Sequence, residues 1–220
     1  MAIRRSVWLC LAISMVLSQS ASYAAMARDD DGRSINSLLR DLNTQDYSRK
    51  NEIERILGER KSESGEMLIN ALDNSDPIVQ GNAAEILEHL SGNWDFVVSN
   101  RGLATILGIM KAAHAPTVQA HLVRVIGNVG PRNPQIQETL IYVLTKDGDV
   151  SVRSAAANAL SNLVREEKPL DAEVAVKALC TALNGDLSPH VRSAAASALS
   201  QTNVLPEIAV PAITQALDDN

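Results

Sequence analysis

Apolar residues recur along the second half of the chain at spacings of three and four, the signature of helices that bury one stripe. Two of these stretches are nearly the same. Residues 152–161 read V-R-S-A-A-A-N-A-L-S, and residues 191–200 read V-R-S-A-A-A-S-A-L-S, 39 positions later. Two looser copies precede them. The four are aligned on Val79, Val118, Val152 and Val191, with steps of 39, 34 and 39 residues. With that valine as position zero, positions +4, +5, +7, +8 and +11 are apolar almost throughout. They hold Ala83, Ala84, Ile86, Leu87 and Leu90 in copy one, and Leu122, Val123, Val125, Ile126 and Val129 in copy two. Copy three has Ala156, Ala157, Ala159, Leu160 and Leu163; copy four has Ala195, Ala196, Ala198 and Leu199, with Thr202 as the one departure.

A second apolar helix precedes each copy. Met67, Leu68, Ala71 and Leu72 mark the first, and Leu103, Ile106, Leu107 and Met110 the second. Leu140, Ile141, Val143 and Leu144 mark the third, and Val176, Leu179, Cys180 and Leu183 the fourth. A last half-copy is expected on Val210, Ile213 and Leu217. Breakers fall between the paired helices: Asp76-Pro77, Ala115-Pro116, Asp147-Gly148-Asp149 and Ser188-Pro189. Proline suits the first turn of a helix, where its missing N–H has no partner to lose. The unit is therefore helix, turn, helix. One such hairpin cannot bury both its apolar faces, so neighbours must stack into a continuous core.

The pattern D-x-x-V-R-x-x-A-A-x-A-L over residues 149–160 resembles a HEAT repeat of the short bacterial kind, with armadillo repeats as close relatives. The resemblance covers residues from about 64 to 220. It implies an all-α, right-handed α-α superhelix of four helical pairs and a terminal half-repeat. It also implies that the aspartate and arginine link neighbouring repeats, a role open to Asp149, Arg153 and Arg192. Copy two has Ala115 and Gln119 at these positions and copy one has Gln80, so the ladder is expected to be incomplete.

The ends of the chain read differently. Arg4 and Arg5, an apolar run from Val7 to Leu17 and small residues up to Ala25 compose a signal peptide over residues 1–25, cut after Ala24 or Ala25. The apolar run is too short to span a bilayer, and no membrane span is expected after cleavage. Residues 26–62 form a charged N-terminal helical cap, with Ile35, Leu38, Leu39 and Leu42 on one helix and Ile53, Ile56 and Leu57 on another. Residues 63–220 carry the repeats. Export to the periplasm or outside the cell follows from the leader, and the mature chain is expected to be a monomer on its own.

Charge and composition narrow the partners. Losing Arg4 and Arg5 with the leader leaves 18 of the 20 basic residues against 26 acidic ones, a formal charge of −8. That balance argues against nucleic acid and anionic membranes, which need basic patches. Cys180 is the one thiol after cleavage and reads as a small buried hydrophobe, with a reactive thiol as the alternative.

The outward positions of the second helices are the candidate site. Position +6 holds Glu85, Arg124, Asn158 and Ser197; +9 holds Glu88, Gly127, Ser161 and Ser200; +10 holds His89, Asn128, Asn162 and Gln201. In the resembled family the second helices line the concave surface, so these columns would face a groove. The expected partner is a protein or peptide, held by Glu85, Glu88, His89, Arg124, Asn128, Asn158, Asn162 and Gln201. Trp94 joins them from an irregular stretch, residues 91–102, as either a binding anchor or, with Phe96 and Val97, a plug between misaligned repeats.

No catalytic residue, cofactor or metal is expected. Phosphate loops, zinc-type Cys/His clusters and nucleophile motifs are missing. Glu85 and His89 stand four apart on one helix and could be two metal ligands, but no third is evident. The alternatives to a binding scaffold are a lyase-like or metal-dependent enzyme and a co-chaperone-like regulator. The resembled family includes bilin lyases, which act on light-harvesting proteins.

Overall fold

A computed structural model describes residues 35–60, 62–92, 98–112, 115–129, 133–165, 171–201 and 205–218. The expected signal peptide, Trp94, Phe96, Val97, His114 and Thr202 lie outside these residues. Among the described residues there are eleven α-helices and no strand. They are α1 (Ile35–Asp41), α2 (Tyr47–Glu59), α3 (Ser62–Ala71), α4 (Pro77–Ser91), α5 (Asn100–Lys111), α6 (Pro116–Val129), α7 (Pro134–Lys146), α8 (Val150–Val164), α9 (Ala172–Gly185), α10 (Pro189–Ser200) and α11 (Pro206–Asp218). The chain divides into two compact units, Met1–Asp41 and Leu42–Asn220. Helix α1 lies in the first; α2 and all the repeats lie in the second.

The second unit is built from two layers. The second helix of each pair packs on the second helix of the next, giving the row α2, α4, α6, α8, α10. The first helices form the other layer: α3 meets α5, α7 meets α9, and α9 meets α11. This is an all-α repeat solenoid, and its core is the stripe of the alignment. Positions +4, +5, +7 and +8 are buried in α4, α6 and α8; only Ala196 of α10 is partly open.

Local chemistry starts the helices. Asp46, Asp76, Ser99, Asn133, Asp149, Asp171 and Ser188 are N-caps whose side chains accept from backbone N–H groups of the first turn. Those N–H groups have no intrahelical acceptor, so each cap stabilises its helix by about 1 kcal/mol. A further turn residue precedes four of the caps; ahead of Asp46 it is Thr44, whose Oγ1 accepts from the Asp46 N–H at 3.1 Å. Asn74, Asp147 and Asp186 each accept from the N–H of the cap two residues on, at 2.9, 2.9 and 2.8 Å. All three stand at position −5.

The close-packed seam lies between α6 and α8. A Cβ on Gly127 would sit 2.5 Å from Ala159 Cβ and 3.0 Å from Ala159 Cα. Glycine here lets two helix backbones approach more closely than any other residue allows. This corrects the sequence reading of column +9. In copies two and three that column is in the seam: Gly127 and Ser161 are buried, and the Ser161 hydroxyl lies 3.4 Å from the Ala198 carbonyl.

The final helix also turns a different face. The expected stripe was Val210, Ile213 and Leu217. Instead Ala209 and Ala212 are buried, Ile213 is partly open, and Val210 and Leu217 are 57% and 73% exposed. Its small residues pack inward, because alanine lets α11 lie closer to α9 than the larger side chains would. Leu205, which leads into α11, has φ 58°, an uncommon conformation for a non-glycine residue.

Candidate functional site

The second-helix row carries polar side chains that join across successive repeats. Lys50 of α2 donates to Glu85 of α4 at 2.6 Å, and His89 Nδ1 lies 3.0 Å from Glu54 Oε1. Glu85 and His89 thus both engage α2, so the four-residue spacing that suggested two metal ligands serves two inter-helix pairs. Among the described residues, no group of three or more His, Cys, Asp or Glu side chains is placed to hold a metal.

One repeat on, Glu88 Oε2 gathers two partners from α6: His121 Nδ1 at 2.6 Å and Arg124 Nη1 at 3.2 Å. Past it runs a neutral row. The Asn128 amide donates to Ser91 Oγ at 3.1 Å, and the Asn162 amide donates to Asn128 Oδ1 at 3.2 Å. Arg165 then reaches Gln201 Oε1 at 3.4 Å. Asn158, Asn162 and Gln201 are exposed, as is His89. The structure therefore brings Glu88 and Arg124 together, and Asn128 with Asn162. It places Glu85 and His89 one step earlier in the row and leaves Asn158 with its side chain in solvent. Sequence reading missed Lys50, Glu54 and His121, because a pair between helices over 30 residues apart leaves no local signal.

A second polar system ties the repeats at the turns. Arg153, at position +1, donates from Nε and Nη2 to the two carboxylate oxygens of Asp186 in the next repeat, at 2.8 and 2.9 Å. Its Nη1 donates to the carbonyls of Asp147 and Gly148 in its own turn. Arg192 repeats the inner half of this arrangement, with Nη1 on the carbonyls of Asp186 and Leu187. Gln80 does the same to Asn74 with its amide, at 2.6 Å. The inter-repeat aspartate is thus Asp186 at position −5, and Asp149 has another task. Asp149 caps α8, where the Ser151 hydroxyl, the backbone N–H groups of Val152 and Ser151 and the nearby Arg153 hold its carboxyl below the usual range against the cost of burial.

The Arg153–Asp186 pair is mostly shielded from water, with side chains 12% and 9% exposed. The Arg153 hydrogen bonds hold the Asp186 carboxyl below its ordinary value, and the N–H of Ser188 helps. A depressed carboxylate contributes stability above the unfolded-state value, and that stability is lost as pH falls through the folded value. Asp186→Asn is therefore expected to cost about 1–3 kcal/mol at pH 7. Urea melts should show the gap to the unmodified protein closing below about pH 4, near the ordinary aspartate value. A gap that is constant with pH would mean the carboxylate charge adds nothing.

Cys180 is partly buried in α9, and its thiol lies 3.9 Å from the Ile208 carbonyl. Burial pushes the thiol above its ordinary value, which disfavours the reactive thiolate.

Stacked helical pairs, a shared apolar stripe and side-chain rungs between repeats define an all-α solenoid of helix–turn–helix units. Within it, residues 191–219 match the family model described as the PBS lyase HEAT-like repeat. The matched segment is nearly all of α10 and the whole of α11, one second helix and the first helix that follows it. No curated protein matches the sequence. Among solved structures the chain is similar to an engineered protein, with 20% identity, 84% of this chain and 85% of that one covered, and a TM-score of 0.47. It is also similar to a designed armadillo repeat protein, with 18% identity, 83% and 91% coverage and a TM-score of 0.45. A second engineered protein has 21% identity, 84% and 52% coverage and a TM-score of 0.49. Repeat solenoids of this kind suit protein-interaction scaffolds, because stacking makes one long surface from many short units. No helix of the described residues is long and apolar enough to cross a membrane.

Proposed function

We propose that this protein is an exported, non-enzymatic scaffold that holds a protein or peptide on the polar face of its second-helix row. The observation that carries the reading is the row Ser91, Asn128, Asn162, continued by Asn158 and Gln201 in solvent. Amide side chains donate and accept at once, so a row of them suits the alternating N–H and C=O groups of a bound chain. The charged cluster of Glu88, His121 and Arg124 would set orientation at one end. Export rests on the leader pattern of residues 1–25.

Asn158 and Gln201 are the residues to change, since both are exposed and neither belongs to an ion pair, the one charged contact being the long hydrogen bond from Arg165 to Gln201 at 3.4 Å. Asn158→Glu with Gln201→Glu should leave thermal unfolding unmoved and reduce capture of a co-purifying partner from the exported fraction by about tenfold, the scale of two lost interface hydrogen bonds. Capture that is equal for both forms would remove the row from the binding surface. Mass spectrometry of the exported protein should give an N-terminus at Ala25 or Met26. An intact leader would contradict the export route.

A further inference from the structure

Each step of the solenoid contains its own description of the next. Helix α10 packs against both α8 and α9, so it lies in the groove between a second helix and the following first helix. It enters that groove behind Asp186, whose carboxylate is gripped by Nε and Nη2 of Arg153 on α8. The filling side chains of α10 are Val191, Ala195, Ala198 and Leu199, all buried. The occupant of this groove is therefore an alanine- and leucine-faced helix with an acidic residue five positions ahead of its first buried valine.

One repeat later the same groove lies between α10 and α11 as an open cleft of about 500 Å³. Its apolar lining includes Leu183, Ala196, Ile213 and Leu217, with Asp186, Arg192 and Ser193 among its polar groups, the Asp186 carboxylate being already engaged by Arg153. Leu217 is 73% exposed. Arg192 is anchored as Arg153 is, by Nη1 on two turn carbonyls at 3.0 and 3.3 Å. Its Nε and Nη2 make no hydrogen bond to the described residues. The fork that holds a carboxylate in one repeat is thus oriented and unused in the next, beside an apolar cleft of the kind a helix fills.

We infer that the α10–α11 cleft is a docking site for an amphipathic helix of a partner protein, with a carboxylate at its leading end seated on Arg192 and small apolar side chains on the cleft floor. The two features select together. An apolar helix without the acid leaves the guanidinium unmatched, and an acidic segment without the apolar face leaves Leu217 and Ile213 in water. This site is separate from the polar second-helix row and does not depend on that row's function.

The protein supplies its own probe. A fluorescent peptide of residues 186–201 carries the acid and the stripe that fill the preceding groove. In anisotropy titrations with the full mature chain it should bind saturably. Arg192→Gln should weaken it about tenfold, the scale of a lost charge-assisted pair. That variant is expected to fold, because Gln80 makes the same inner hydrogen bond in copy one. A peptide with asparagine in place of its leading aspartate should bind equally weakly, and combining the two changes should add little further loss. Leu217→Lys should abolish binding. No saturable binding, or binding indifferent to Arg192→Gln, would overturn the inference. So would a wild-type dimer in sedimentation that Arg192→Gln makes monomeric, since the occupant would then be a second copy.

Discussion

Replacing Gly127 with alanine is expected to destabilise the repeat stack by about 1–3 kcal/mol, although the same change in an isolated helix would stabilise it by about 1 kcal/mol. The added Cβ would fall 2.5 Å from Ala159 Cβ and 3.0 Å from Ala159 Cα. Neither atom can move by a change of rotamer. Relief requires α6 and α8 to separate, and separation loosens the dispersion contacts between these two closely packed helices. The clash therefore outweighs the gain in helix propensity. A double-mutant cycle tests the cause. Ala159→Gly alone removes a buried methyl and adds a mid-helix glycine, and should destabilise. Combined with Gly127→Ala it should recover about 1 kcal/mol or more relative to the sum of the single changes, because the glycine has only moved to the other side of the contact. Additive effects in urea melts would show that the two residues do not share one close approach.

Gly127 also shows where sequence reading loses its grip. The stripe at +4, +5, +7 and +8 was legible because burial of large or repeated apolar side chains imposes a helical period. Column +9 carries Glu88, Gly127, Ser161 and Ser200, and small residues of this kind suit a solvated face and a tight seam equally well. Only the distance between α6 and α8 decides between them. The same ambiguity displaced the stripe of α11, where Ala209 and Ala212 are inward and Val210 is outward. At the turns, the D-x-x-V-R pattern pointed at the right arginine and the wrong aspartate. Asp149 sits nearer in sequence, but the side chain that crosses to the next repeat must lie at the turn of that repeat, which is Asp186. The candidate face was legible as a set of columns. Its pairings, such as Glu54 with His89 and Glu88 with His121, were not, since they depend on how far neighbouring helices slide along each other.

The severest single change should be Ala156→Glu. Ala156 is fully buried on α8, the helix that packs on α6, α7, α9 and α10. A glutamate here brings four extra heavy atoms beyond the alanine methyl, where overpacking alone costs about 1–3 kcal/mol. It also buries a carboxyl among apolar neighbours, Ala155, Ala157, Ala159 and Leu160. Such a group avoids the charged form, and its pKa rises well above the free value of about 4.3. The sign of the pH effect follows. Below the unfolded value both states hold the proton and only the packing cost remains. As pH rises, the unfolded state releases its proton first, and the variant loses about 1.4 kcal/mol for each unit by which the pKa is raised. Ala156→Gln has the same size without the charge, so the two variants should melt alike near pH 4 and diverge toward pH 7, with the glutamate form lower by about 3 kcal/mol or more. Because a solenoid transmits stability only between neighbours, the damage should be located as well as large. Hydrogen exchange should lose protection in α8 first, and in α6 and α10 with it, while α4 keeps more of its own. Equal melting of the two variants at pH 7 would mean that the introduced carboxylate reaches water, and that the seam around Ala156 opens at little cost.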